Sequence, residues 1–252
     1  MKVVLITGAT RNTGLAVAKR FAGEGYAVAI TSRDGTSACE TAAALAKEYG
    51  AFVRGYEMQL TSVQSIRQVF DRLQQDFGRL DVFVANSAHL GVGYSLLEST
   101  EAEFDAVADV NIKGTFFCCQ SAARLMKDAG GSIVTIGSVQ GTGGLHGRAV
   151  YGMSKAALSM LVRYMAYELG QYHIRANNVV AGAVHSCRWD ELSSEEIAAR
   201  RSRYPVGRES TEEEIANAVW FLASDQAASI TGTDLTVDSG LTACLLPYIK
   251  KE

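Results

Sequence analysis

A tyrosine and a lysine near the middle of the chain have the types and the spacing needed for proton transfer. Tyr151 and Lys155 stand four residues apart in the segment YGMSK, so they share one face if this segment is helical. A phenol has a pKa of about 10, and a neighbouring ammonium group lowers that pKa by stabilising the phenolate. Ser138, at the end of the apolar run IVTIG, adds a hydroxyl that can hold a reacting oxygen. These residues predict acid–base chemistry on an oxygen atom.

The opening stretch TGATRNTG, residues 7–14, has the form of a phosphate-binding loop. It follows the apolar run VVLI and precedes a helix-like stretch, and the first N–H groups of a helix favour an anion such as pyrophosphate. The loop matches neither Gly-x-Gly-x-x-Gly nor the Walker A pattern, since Leu15 rather than lysine follows Gly14. Taken alone, the stretch fits a structural strand-to-helix turn equally well.

Short β-branched runs alternate with longer amphipathic segments along the whole chain. We predict strands at 3–7, 26–31, 51–58, 81–85, 132–137, 174–180 and 234–237, and helices at about 14–24, 37–49, 62–76, 101–127, 151–170 and 211–223. Apolar strands separated by helices predict a parallel sheet covered on both faces. The expected fold is a doubly wound α/β domain that spans all 252 residues, with its ligand crevice at the carboxyl ends of the strands.

The composition limits the classes of partner. With 24 Lys and Arg against 27 Asp and Glu, the net charge of -3 gives no reason to expect nucleic acid or membranes as partners. The apolar run after Met1 is too short for a signal peptide, and we expect a cytoplasmic protein. Five cysteines without Cys-x-x-Cys and four histidines without ligand spacing predict neither disulfides nor a metal.

Four later segments carry a resemblance that covers almost the whole chain. They are DVNIKG (109–114), IGSVQG (136–141), YGMSK (151–155) and NNVVAG (177–182). In this order, and with Tyr151 thirteen residues after Ser138, the sequence resembles the short-chain dehydrogenase/reductase family, in particular its 3-oxoacyl-acyl carrier protein reductase and carbonyl reductase-like members. The resemblance implies a Rossmann-type sheet of about seven strands in three α/β/α layers, and a nicotinamide cofactor. It also implies that the catalytic residues are Asn111, Ser138, Tyr151 and Lys155.

The resemblance further implies roles for single residues and an assembly. Asn111 would interrupt its helix and hold a water in a proton relay to Lys155, and Ser186 would contact the nicotinamide amide. The family resemblance implies a homotetramer or homodimer, with helices 101–127 and 151–170 packing between subunits. Four side chains on these helices supply more apolar surface than one sheet face covers: Ala102, Phe116, Met160 and Tyr164. Within the subunit, we expect Tyr164 and Tyr167 to be packing residues.

The sequence departs from the family pattern at several cofactor positions. Asn12 replaces the middle glycine of Thr-Gly-x-x-x-Gly-x-Gly, and asparagine tolerates left-handed backbone angles better than most residues. Gln59 stands where an aspartate usually meets the adenine, and Ala181 replaces the proline before Gly182. The Asn-Asn-Ala-Gly motif remains only as ANSA, residues 85–88. None of these changes removes a catalytic group.

The end of the second strand favours NADP(H) over NAD(H). Dinucleotide folds select NAD with a carboxylate at this point and NADP with a nearby arginine for the 2′-phosphate. Ser32 is not acidic, Arg33 follows it, and Arg11 in the first loop can reach the same phosphate; Asp34 would favour NAD if the strand ended later. The expected cofactor contacts are Gly8, Thr10, Arg11, Asn12, Thr13, Gly14, Ser32, Arg33, Gln59, Leu60, Asn86, Ser87, Ala88, Tyr151, Lys155, Gly182, Val184 and Ser186.

Three loops, one of which is a lid, are expected to surround a small-molecule substrate. The stretch 187–204 is predicted to be the lid. The expected substrate contacts are His89, Tyr94, Gln140, His146 and Trp189. Because most of these side chains are uncharged, they favour a neutral, fairly apolar carbonyl compound. A carboxylate would find a partner only if Arg188 turned inward.

These features together predict an enzyme. We expect an NADP(H)-dependent oxidoreductase that interconverts a ketone or aldehyde and an alcohol by hydride transfer, with Tyr151 as the acid–base group. The alternative is a non-catalytic NADP(H)-sensing protein on the same fold. Because a sensor is free to lose the tyrosine, the intact set of four catalytic residues favours the enzyme.

Overall fold

Seven strands form one parallel sheet in the computed structural model, which describes residues 1–186, 189 and 191–244. The strands are β1 Val3–Ile6, β2 Ala27–Ser32, β3 Val53–Glu57, β4 Val82–Ala85, β5 Gly131–Ser138, β6 Ile174–Ala181 and β7 Asp234–Val237. Their order is β3-β2-β1-β4-β5-β6-β7. The direction of strand addition reverses between β1 and β4, so the crevice opens at the carboxyl ends of these strands. The predicted Rossmann-type fold is confirmed.

Two layers of helices cover the sheet in the described part of the chain. The helices are α1 Asn12–Gly23, α2 Gly35–Tyr49, α3 Val63–Phe77, α4 Glu101–Ala108, α5 Thr115–Met126, α6 Ala149–Leu169, α7 Ser194–Arg201 and α8 Glu212–Ala223. Buried side chains of α3, α5 and α6 pack on one face of the sheet, and those of α1, α2 and α8 pack on the other. Among the described residues, no helix is long and apolar enough to cross a membrane.

The apolar pattern explains both layers. Every residue of β1 is buried, as expected for a central strand of a parallel sheet with helices on both faces. On α3 the buried side chains Ile66, Val69, Phe70 and Leu73 recur at helical spacing. Burying each of these side chains contributes roughly 1.5–3 kcal/mol, so the sheet edge that carries the crevice rests on a rigid core.

The helical segment predicted at about 101–127 is confirmed, but its interior is not a regular α-helix. A π-helical turn at Asp109–Gly114 separates α4 from α5. The extra residue of a π-turn leaves the apolar periodicity on both sides intact, so sequence periodicity does not reveal it. Such turns are frequent at functional sites, and this one contains Asn111.

Candidate active site

A cleft of about 1240 Å³ lies at the carboxyl ends of the central strands. Most of the site residues predicted from the sequence line it: Gly8, Thr10, Arg11, Asn12, Thr13, Gly14, Ser32, Arg33, Gln59, Leu60, Asn86, Ser87, Ala88, His89, Ser138, Gln140, Tyr151, Lys155, Gly182, Val184 and Ser186. They come from segments far apart in the sequence, and the parallel topology brings the strand ends together.

The loop between β1 and α1 forms one end of the cleft and has the conformation of an anion cradle. Asn12 has a φ of 49°, which confirms the left-handed backbone predicted for it. A Cβ atom on Gly14 would lie 2.4 Å from the carbonyl oxygen of Gly8, so only glycine fits there. Arg11 is the N-cap of α1 and forms no side-chain capping bond, which leaves the first N–H groups of the helix for a ligand. The backbone therefore fits a pyrophosphate.

Asn86 holds this loop against the end of β4. Its Nδ2 donates to the carbonyl oxygens of Thr7 and Gly8, at 2.9 and 3.1 Å. The hydroxyl oxygen of Thr7 accepts hydrogen bonds from the backbone N–H groups of Asn86 and Ser87, both at 3.0 Å. Asn86 of the ANSA segment therefore stabilises the conformation of the loop between β1 and α1.

Tyr151 and Lys155 lie buried on α6, where they face the end of β5. The Nζ of Lys155 lies 5.6 Å from the ring centre of Tyr151 and donates to the carbonyl oxygen of Ile136 at 2.6 Å. Only 4% of Lys155 is exposed, and this burial lowers its pKa to about 8 because desolvation disfavours the ammonium form. The spacing seen in the sequence has produced a buried cation beside a phenol.

Ser138 and Gln140 occupy the cleft wall beside α6. Ser138 is the last residue of β5, and its hydroxyl oxygen accepts from the backbone N–H of Gln140 at 3.2 Å. The Oε1 atom of Gln140 is buried and has no hydrogen-bond partner among the described residues. Buried polar groups are almost always paired, so this oxygen is an exception among the described residues.

Asn111 lies behind the cleft rather than in its wall. Its Nδ2 donates to the carbonyl oxygen of His89 and to the hydroxyl of Ser154, both at 2.9 Å, and its Oδ1 accepts from the N–H of His89 at 2.7 Å. Both N–H donors of the amide are therefore in use. The side chain fixes the loop after β4 to α6, next to Tyr151.

Three predicted substrate contacts do not reach the cleft wall in the described structure. The backbone of Tyr94 pairs with Arg148 and its ring stacks on His89 at 6.2 Å. His146 is exposed on the glycine-rich loop before α6. Trp189 is buried, and its ring lies 5.9 Å from the ring of His185. Of the predicted lid, residues 187, 188 and 190 lie outside the described residues, which includes Arg188.

Asp34, the carboxylate closest in sequence to the end of β2, caps the helix that follows. Strand β2 ends at Ser32, and Asp34 is the N-cap of α2. Its carboxylate accepts from the hydroxyl of Ser37 at 2.5 Å and from the N–H of Thr36 at 3.0 Å, and these bonds lower its pKa. The carboxylate that would favour NAD is thus used for capping.

Arg148 is a cleft residue that the sequence analysis missed. Its guanidinium carbon lies 5.6 Å from the ring centre of Tyr151, and its Nη1 donates to the carbonyl oxygen of Leu90 at 2.5 Å. Arg148 lies one helical turn before Tyr151 in the sequence, but this position alone does not indicate a cleft residue.

Glu209 is a second residue without a sequence signal, and it fastens the segment predicted as the lid. Arg201 of α7 donates to its carboxylate at 2.7 and 2.8 Å, and the ring of His185 lies 2.7 Å from it. The bonds with Arg201 lower the pKa of Glu209 to about 2. Glu209 is only 3% exposed, so it ties α7 to the segment that follows β6.

Comparisons with known proteins agree with this geometry. A sequence model described as enoyl-(acyl carrier protein) reductase matches residues 8–242. The chain is 36% identical over 249 residues to 2-(S)-hydroxypropyl-CoM dehydrogenase 3 of Xanthobacter autotrophicus, covering 96% of this chain and 97% of that protein. It is 35% identical over 242 residues to the 3-oxoacyl-[acyl-carrier-protein] reductase FabG of Escherichia coli K12, covering 95% and 97%. The chain belongs to the short-chain dehydrogenase/reductase family.

Solved structures support the assignment. A short-chain type dehydrogenase/reductase from Mycobacterium marinum matches with a TM-score of 0.89 at 30% identity, covering 96% of both chains. The 7α-hydroxysteroid dehydrogenase complexed with NADH and 7-oxo glycochenodeoxycholic acid matches with a TM-score of 0.88 at 29% identity, covering 95% of this chain and 93% of that one. The predicted resemblance is confirmed, and the chain is an oxidoreductase of a family that interconverts alcohols and ketones with nicotinamide cofactors.

Proposed function

We propose that this oxidoreductase is an NADP(H)-dependent carbonyl reductase in which Tyr151 gives the proton to the substrate oxygen. One observation carries the proposal. The buried pair of Tyr151 and Lys155 lines the same cleft as the open N-terminus of α1. A site for an anionic dinucleotide and an acid–base group thus share one cavity, as hydride transfer coupled to proton transfer requires.

The side chains divide the work of reducing a carbonyl group. A reduced nicotinamide held in this cleft would supply the hydride for the carbonyl carbon. The hydroxyl of Ser138 holds the carbonyl oxygen, and the hydroxyl of Tyr151 donates its proton to that oxygen as the C–O double bond becomes a single bond. The ammonium of Lys155 stabilises the phenolate that remains. Asn111 keeps the loop after β4 in place against α6 through the bonds to His89 and Ser154.

The residues at the adenosine end support NADP(H) rather than NAD(H). The relative with bound NADH shows that the fold accepts this cofactor in another protein. Here Arg11 and Arg33 line the cleft at the end of β2, where Ser32 offers no carboxylate. Gln59 fixes the loop by donating from Nε2 to the carbonyl oxygen of Arg33 at 3.0 Å. Two cations, next to a strand end that is not acidic, suit the 2′-phosphate.

Replacing both Arg11 and Arg33 by Ala is expected to weaken NADPH binding at least about tenfold, because each charge-assisted bond to the phosphate contributes roughly 1.5–3 kcal/mol. NADH, which lacks the 2′-phosphate, is the control ligand, and its affinity should change little. Quenching of protein fluorescence gives both dissociation constants. An unchanged NADPH affinity, or equal use of NADH by the wild-type protein, contradicts the assignment.

Assembly through α5 and α6 is part of the proposal. Tyr164 and Tyr167 are 60% and 88% exposed, so the expectation that they pack within the subunit is wrong. Further apolar side chains exposed on α4 to α6 are Phe104, Ile112, Phe116, Met153 and Met160. Exposed apolar patches of this kind mark contacts between proteins. We expect a homotetramer or homodimer by light scattering, and a monomer at micromolar concentration would contradict it.

The function itself is tested by the loss of NADPH absorbance with a panel of ketones, diketones and β-ketoacyl thioesters. Turnover of at least one carbonyl compound supports the proposed reductase. NADPH binding without turnover of any carbonyl compound would support the cofactor-sensing alternative instead.

A further inference from the structure

Arg148 places a second positive charge in the cleft, in addition to that of Lys155. Its guanidinium carbon is 5.6 Å from the ring centre of Tyr151, the same distance that separates this ring from the ammonium of Lys155. In the described part of the chain Arg148 forms no ion pair. A cation left unpaired beside the reacting group points to an anion on the ligand.

The guanidinium is held in place by the loop after β4. Its Nη1 donates to the carbonyl oxygen of Leu90, and the backbones of Arg148 and Tyr94 pair with one another. Among the described residues, its Nε and Nη2 atoms form no hydrogen bond. The two N–H groups along this free edge are parallel, and a carboxylate is the group that accepts both at once.

We propose that Arg148 selects substrates that carry a carboxylate close to the reacting carbonyl, that is, α- or β-oxo acids. This inference rests on the proposed function, because it places the carbonyl oxygen at the hydroxyl of Tyr151. The guanidinium carbon of Arg148 lies 5.6 Å from the ring centre of that same tyrosine. This proximity favours a substrate whose carboxylate is close to its carbonyl group.

The acidic residues of the cleft leave this cation available. Glu40 lies on α2 and Glu212 begins α8, and neither pairs with Arg148 in the described structure. A neutral substrate bound in the cleft would displace water from the guanidinium and offer no charged group in its place. The cation would then lose hydration free energy without compensation. The inference therefore replaces the expectation of a neutral, apolar substrate.

The test compares acids with their amides, which match them in shape but carry no charge. Pyruvate, acetoacetate and levulinate are paired with their amides, and NADPH oxidation is followed for the wild-type protein, Arg148→Gln and Arg148→Lys. We expect the wild type to prefer a short oxo acid at least about tenfold in kcat/KM. Arg148→Gln should lose about 10- to 100-fold on that acid, mostly through KM, and no more than about twofold on the amide.

Arg148→Lys keeps the positive charge but lacks the two parallel N–H donors, so its activity on the acid should lie between those of the wild type and Arg148→Gln. Equal rates on acid and amide in the wild type would overturn the inference. An equal loss of rate on both substrates in Arg148→Gln would overturn it too, because that result indicates a structural role. Neither result contradicts the proposed reductase activity. That activity is contradicted only if no carbonyl compound is turned over.

A measurement of ligand binding tests the inference even if the protein turns over none of these substrates. The hydroxy acid that corresponds to acetoacetate is titrated by calorimetry into the protein saturated with NADP⁺, with its amide as control. Binding of the acid that is weakened by Arg148→Gln supports the inference. Equal binding of acid and amide, or no binding of either, rejects it.

Discussion

Replacing Tyr151 by Phe is expected to lower the rate of carbonyl reduction by about 10²–10⁴-fold or more, which is the usual contribution of general acid catalysis. The change removes one hydroxyl, while the ring, only 9% exposed, keeps its packing on α6. NADPH affinity and thermal stability should therefore stay close to those of the wild type. The measurement is kcat on the best substrate of the panel, with fluorescence titration for NADPH and circular dichroism for the fold.

A matched control lies on the same helix. Tyr164→Phe makes the same chemical change at a side chain that is 60% exposed and does not line the cleft. It should leave kcat unchanged. Near-wild-type turnover by Tyr151→Phe would show that another group, or water, delivers the proton, and the proposed mechanism would then be wrong.

The fold and the proximity of Tyr151 and Lys155 were predictable because both rest on local patterns. Continuous apolar runs identify strands that are buried on both faces, and Tyr151 and Lys155 are neighbours on one helix whatever surrounds them. The left-handed backbone of Asn12 followed from its place in the loop. Each of these features needs only a short piece of sequence.

The residues that were missed depend on contacts between distant segments. Arg148 is held by Leu90, which is 58 residues earlier, and Glu209 is held partly by His185, which is 24 residues earlier. Neither distance leaves a mark in the local pattern. Asp34 is different, because an aspartate before a predicted helix is a recognised N-cap, and that preference alone could have removed it as a ribose ligand.

The burial of Lys155 lowers the stability of the fold and places a cation beside Tyr151. Its pKa is lowered from 10.5 to about 8 by burial, so the folded protein holds this proton less tightly than the unfolded chain. Between about pH 8 and pH 10.5 the unfolded chain binds more protons than the folded protein, so the free energy of unfolding rises with pH. Below about pH 8 both states are protonated, and the full penalty, of the order of 3 kcal/mol, opposes folding. The bond from Nζ to Ile136 is part of what holds the charged group in place.

Lys155→Met is therefore expected to stabilise the protein while it abolishes most of the activity. The methionine has a similar length and can remain buried, and the loss of the charge should raise the free energy of unfolding in urea by about 1–3 kcal/mol at neutral pH. This gain should shrink toward about pH 10, where the wild-type lysine is neutral when folded. Without the cation the phenolate of Tyr151 is not stabilised, and kcat should fall at least about 100-fold.

The exposed residue Lys47 on α2 provides the control, since Lys47→Met removes the same charge without relieving any burial. Its stability should follow that of the wild type at every pH. A Lys155→Met variant that is less stable than the wild type at neutral pH would mean that the bond to Ile136 outweighs the desolvation of the ammonium. A variant that is more stable and fully active would instead remove Lys155 from the mechanism. Gained stability together with a lower kcat at saturating NADPH is the result expected of a buried cation that takes part in the reaction.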